Sequence, residues 1–214
     1  MADNKLAPDP VNALTTAAGK YPSYQDLLRF LGANQPPIRF APLDGETKGE
    51  YDYNPRYGNT GEIRMNTNSL RYMRDDPTAT ARTLIHETTH ATDRQLDNLY
   101  FKYKDRPPTP EIAQFVEGYK RLRWSDKNPN ARVQSPPSEA LARRLDSKWA
   151  AENAGYRANS AELYGHAVGN TARTPESTRY GSIDTPLHLD PTLATEHFVL
   201  LDLANRAQQS LQAK

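Results

Sequence analysis

Apolar positions along the chain fall into two regimes, short alternating runs in the first third and longer helical periods after it. Residues 1–20 are small, polar and broken by proline, and predict a flexible or covering N-terminal arm. SYQDLLRFL (Ser23–Leu31) has helical spacing and is closed by Gly32. Three short segments follow at 36–43, 49–54 and 61–66, separated by Gly, Pro and Asn. Tyr51 with Tyr53, and Ile63 with Met65, supply period-two faces, which predicts a small antiparallel sheet. After Asp75-Asp76-Pro77 the period turns helical, with Asp76 as N-cap and Pro77 as first residue of a helix running to near Leu99. Further helices are expected from Thr109-Pro110-Glu111 to about Trp124, over 138–153 and over 157–168, with a break at Ala154-Gly155. Loops fill 125–137 and 169–190, and Asp190-Pro191 opens a C-terminal helix over 191–212. Sheet first and helices after predict an α+β fold, a single domain over 21–214 behind the arm.

The helix beginning at Pro77 has two distinct faces. At about 100° per residue, Ala81, Leu84, Ile85, Thr88, Thr92, Leu96 and Leu99 share an arc of roughly 120°. His86, His90, Asp93 and Asp97 fall opposite, within roughly 60° of one another. Glu87 lies about 100° round from His86, on the flank of the polar face.

Composition narrows the chemistry. Lys+Arg number 27 against 26 Asp+Glu in 214 residues, so no bulk charge draws the chain to nucleic acid or anionic lipid. Arg143-Arg144 and the charges of 102–108 read as solvated, and YKRLRW (119–124) as core and rim. No apolar run approaches the ~20 residues of a membrane span, and the N-terminus lacks a secretory pattern, so a cytoplasmic protein is expected. A virion-associated or delivered protein is compatible with the same features. With no cysteine, any metal must be held by nitrogen and oxygen.

His86-Glu87-Thr88-Thr89-His90 supplies such donors. Two imidazoles one helical turn apart can share one tetrahedral Zn²⁺. A carboxylate beside the first can take a proton from a metal-polarised water and pass it to a leaving amine. A chain of this composition carries the pattern by chance roughly once in a hundred sequences, so the letters alone decide little. The clear helix start, and histidines opposite the apolar stripe, favour a metal site over an ordinary solvated face.

A third ligand is needed. The metzincin pattern places it ten residues after the first histidine, where this chain has Leu96, and has glycine where Asp93 stands. Asp93, fixed to the same straight helix, cannot wrap round the ion and is expected at the margin. In the 157–168 helix, Ala158, Gly165, His166 and Gly169 share the face of Glu162, with Asn159 at its edge, while Leu163, Ala167 and Val168 point toward a core. A glutamate among small residues suits close approach to another helix. Glu139, Glu152, His166 and His188 are the alternative third ligands.

With AELYGHAV (161–168) following HETTH, the sequence resembles the gluzincin class of zinc metallopeptidases, within the zincin superfamily. The separation, 162 − 90 = 72 residues, is longer than in thermolysin-like enzymes and closer to some membrane-associated and phage-encoded members. The resemblance covers two motifs and the sheet-then-helix order. It implies a zincin-like fold, Zn²⁺ held by His86, His90 and Glu162, Glu87 as general base, and a protein or peptide substrate. The sequence departs from the pattern at His166, where several gluzincin families have an aspartate orienting a zinc-bound histidine. His166 and Tyr164 are expected to assist catalysis as oxyanion donors, with Tyr156, Tyr180 and His188 as alternatives. GEIRMN (61–66) resembles the edge strand that binds extended substrate in zincins. A second reading is a structural or interaction protein of a larger assembly, such as a phage particle, keeping fold and metal without turnover. A third is an effector cleaving one host protein.

Overall fold

Residues 10–18, within the segment expected to be a flexible or covering arm, form a helix that packs on the core. In a computed structural model, which describes residues 9–44, 47–53, 61–71, 77–124, 160–172 and 192–213, helix α1 runs Pro10–Ala18. Asp9 caps it by accepting from the Val11 N–H at 3.1 Å, and Pro10 supplies the pre-set first turn. Leu14 and Ala18 are fully buried against the long central helix. Two small-to-medium apolar residues among threonines give little periodic signal, which is why the pattern hid it. Leu14→Ala is expected to cost about 2–5 kcal/mol of unfolding free energy by urea titration; a cost under about 0.5 kcal/mol would mean that α1 docks loosely.

Helix α2 (Pro22–Leu31) buries Tyr24, Leu27, Phe30 and Leu31. It stops at Gly32, whose φ of 53° is a left-handed conformation that glycine adopts without a Cβ clash. Strands β1 (Ile38–Ala41), β2 (Gly49–Asp52) and β3 (Glu62–Asn66) then pair in the order β1-β3-β2. β2 is antiparallel to β3, with Tyr51 opposite Ile63, but β1 is parallel to β3, with Ile38 opposite Ile63. The expected antiparallel sheet is therefore mixed. Alternation decides which side chains face the core, not which way a neighbour runs. GEIRMN is likewise corrected: it forms the interior strand, and the edges are β1 and β2. Ile63 and Met65 point into the core, while Arg64 on the other face pairs with Glu50 and Asp52 at 2.8 and 2.7 Å.

Helix α3 (Pro77–Tyr103) passes Leu99 by a further turn and is the hub, touching α1, α2, the sheet and every later helix described. Helix α4 (Pro110–Tyr119) is capped by Thr109 Oγ1, which accepts the Ile112 N–H at 3.2 Å. It widens into a π turn over Lys120–Trp124. Helices α5 (Ser160–Gly169) and α6 (Thr192–Gln212) complete the α+β chain. The expected 138–153 helix, the 125–137 loop, the Asp76 cap and positions 173–190 lie outside the described residues. Among the described residues, no helix is long and apolar enough to cross a membrane.

Candidate metal centre

The apolar stripe of α3 lies in the core, with Ala81, Leu84, Ile85, Thr92 and Leu96 fully buried. Thr88 and Thr89 satisfy their hydroxyls on Leu84 O at 2.7 Å and Ile85 O at 2.9 Å, which lets polar residues sit inside a helix. The opposite face is covered as well. His86, Glu87 and Asp93 are buried and His90 is half-buried. An ordinary polar helix face would be in water, so this burial needs a compensating partner.

Helix α5 covers it, and glycines set the distance. A Cβ on Gly165 would stand 2.9 Å from His86 Cε1, and one on Gly169 would stand 3.0 Å from the Arg82 carbonyl oxygen. These two glycines, one turn apart, let α5 lie against the histidine side of α3 and bring Glu162 into line. Gly165→Ala is expected to push His86 aside and weaken metal binding roughly tenfold or more in a chelator competition. Unchanged affinity would show that the helices have slack at this contact.

Three side chains converge. His86 Nε2 and His90 Nε2 lie 2.9 Å apart. Glu162 Oε2 is 3.2 Å from the first, and Oε1 is 3.4 Å from the second. A donor atom from each residue lies within 4.8 Å of the others. Tetrahedral coordination with bonds of ~2.0–2.2 Å puts ligand atoms about 3.3–3.6 Å apart, so the observed spacing suits one shared ion after small rotations. Two imidazole nitrogens facing each other at 2.9 Å also ask for a proton or cation between them. Glu162 Oε2 is buried without a hydrogen-bond partner, its approach to His86 close enough for attraction but not aligned as a bond. Burial alone would raise the Glu162 pKa, but the His86 and His90 imidazoles outweigh it and hold the carboxyl well below its usual range. Burial works to lower His90, yet Glu162, Glu87 and Asp93 leave it raised. The group can hold a metal cation.

Glu87 stands on the flank of this group, beneath the sheet edge. Because Asn66 N–H donates to Lys48 O at 2.9 Å, the alternate residues Gly49 and Tyr51 turn their peptide groups away from β3. The outward Tyr51 N–H donates to the Glu87 carboxylate. A Cβ at Gly49 would lie 3.2 Å from Glu87 Cγ, so glycine admits the side chain here. Burial pushes the Glu87 pKa up, against the pull of His86 and His90.

The expected assistants separate. The His166 ring packs against His86, with centroids 4.5 Å apart and planes at 60°. Tyr164 is turned away from this group. Two residues beyond Glu162 it has turned about 200° round the helix, and its buried hydroxyl lies 2.9 Å from Leu122 O and 2.8 Å from Glu196 Oε2. Glu139, Glu152, Tyr156, Tyr180 and His188 lie outside the described residues.

A polar network behind the group escaped the sequence reading. Asp93, expected at the margin, is buried and paired with Arg123. Burial, opposed by Arg123 and His90, pushes its pKa up to about 6. His197 is fully buried in α6, and burial together with Arg123 and His90 keeps it neutral. Arg123 Nη2 donates to its Nδ1 at 2.9 Å. The ring proton must then be on Nε2, which donates to Thr92 Oγ1 at 3.0 Å, and Thr92 donates on to Thr89 O at 2.7 Å. No protein-family model, curated protein or solved structure matches the chain, so the site is read from its own geometry.

Proposed function

We propose that the chain is a zinc-dependent metallopeptidase of gluzincin type, with a zincin-like fold, acting on a protein or peptide substrate. The observation that carries this reading is the convergence of His86, His90 and Glu162 where α5 packs on α3, with Glu87 beside them. Two nitrogens and one carboxylate oxygen, with no thiolate in the chain, suit Zn²⁺ better than Mg²⁺ or Ca²⁺, which prefer six or more oxygen ligands. Bound at three protein ligands, Zn²⁺ supplies an electrophile that polarises a carbonyl and brings the pKa of water toward ~7. Glu87 then does the proton work. Its flank position keeps it out of the ligand triangle, the Tyr51 N–H fixes its carboxylate, and its raised pKa suits a group that takes a proton and returns it. His166, packed beside His86, is the remaining candidate of the two assistants for steadying negative charge on the substrate oxygen.

The test is cleavage of a mixed peptide library by the purified chain, before and after chelation. Cleavage should vanish with the metal and return with added Zn²⁺. A wild-type chain that keeps near-stoichiometric zinc but cleaves nothing would favour the assembly reading, in which the metal is structural. A chain that takes up no zinc would remove both.

A further inference from the structure

We propose that the π turn after α4 positions Glu162 for the metal, with Arg123 as the positioning residue. The inference rests on the metal reading above and extends it to residues outside the ligand set. The Arg123 side chain is only 7% exposed and reaches between three helices. On α3 it pairs with Asp93, three residues beyond the ligand His90. On α6 it donates to His197 Nδ1 at 2.9 Å. On α5 its guanidinium lies over the Tyr164 ring, 3.6 Å from the centroid, two residues beyond Glu162. The preceding residue of the same turn adds a second grip, since Leu122 O lies 2.9 Å from the Tyr164 hydroxyl.

α3 and α5 carry the three ligands between them, and the glycine contact only limits how closely they approach. Something must also fix α5 along and about its own axis. Arg123 and Leu122 hold Tyr164 on the side opposite the metal, so a rotation of α5 that moved Glu162 would have to break both contacts. A planar guanidinium is needed for this, because it stacks on a ring through its face while donating from its edge. A lysine ammonium has no planar face to lay on the ring while its N–H groups reach Asp93 and His197. The wider π turn is a helical distortion found often at functional sites, and here it carries both gripping residues.

Arg123→Lys keeps a charge facing Asp93 and removes the planar guanidinium over the Tyr164 ring. Zn²⁺ affinity of the folded protein should fall about 10–100-fold, and the visible spectrum of the Co²⁺-loaded protein should change, since it reports ligand geometry. A merely structural Arg123 would lower the melting temperature of the metal-free protein while folded molecules bound Zn²⁺ and Co²⁺ as wild type does; that result overturns the proposal. If Arg123→Lys does not fold, Tyr164→Leu takes its place, removing both the ring under Arg123 and the hydroxyl at Leu122 O. Weaker Zn²⁺ binding with an altered Co²⁺ spectrum supports the proposal, and wild-type values overturn it. Wild type that binds neither ion removes the metal reading and this proposal together, a result distinct from equal binding by wild type and variant.

Discussion

Glu87→Gln is expected to leave the metal bound and to lower kcat/KM for peptide cleavage by about 10²–10⁴-fold. The substitution keeps shape and volume, so the Tyr51 N–H can still meet an amide oxygen at the same place. What is lost is the capacity to take a proton. Burial makes the loss hard to repair, because Glu87 is only 6% exposed and bulk water has poor access to stand in for it. His86 and His90 are not disturbed, so zinc content should stay at the wild-type level. Parallel metal analysis and steady-state kinetics separate the two effects. Cleavage within tenfold of wild type would remove Glu87 from the role of base.

Glu162→Ala should cost more in metal binding than any change outside the ligand set, at least ~100-fold against the ~10–100-fold typical of groups that orient ligands. Among the described residues, it is the only member of the converging group that comes from outside α3. Without it, two imidazoles one turn apart remain, too few to close a tetrahedral site. The variant also removes the acceptor facing His86 and His90, whose Nε2 atoms lie 2.9 Å apart. One of the two must then hold a proton for the other. Chelator competition reads the affinity, and thermal melting without metal shows whether the fold survives. Wild-type affinity would move the third ligand elsewhere, to Glu139, Glu152, His166 or His188.

The parts of this site legible in the sequence are those carried by helical period. α3 is long enough for 3.6-residue spacing to separate Leu84, Ile85 and Leu96 from His86, His90 and Asp93, and the burial of the first set follows that division. The small residues beside Glu162 likewise announced a close helix contact, and Gly165 meets His86 there. Burial of the polar face was not legible, because amphipathicity states what a face prefers and not what covers it. Strand direction was not legible either, since Ile38 and Tyr51 both oppose Ile63 with nothing local to set their sense. The Arg123 network was hidden by distance. Its partners lie 30 and 74 residues away, at Asp93 and His197, and each looks ordinary in its own segment. Tyr164 misled for a related reason: its place near Glu162 in the chain suggested a shared task, while the helix turns it to the other side.

The most direct test of the central claim is anomalous diffraction at the zinc edge from crystals of the purified chain. The expected result is one ion per chain within ~2.0–2.2 Å of His86 Nε2, His90 Nε2 and a Glu162 carboxylate oxygen. A site with no ion after zinc loading, or an ion held elsewhere with Glu162 turned away, would contradict it.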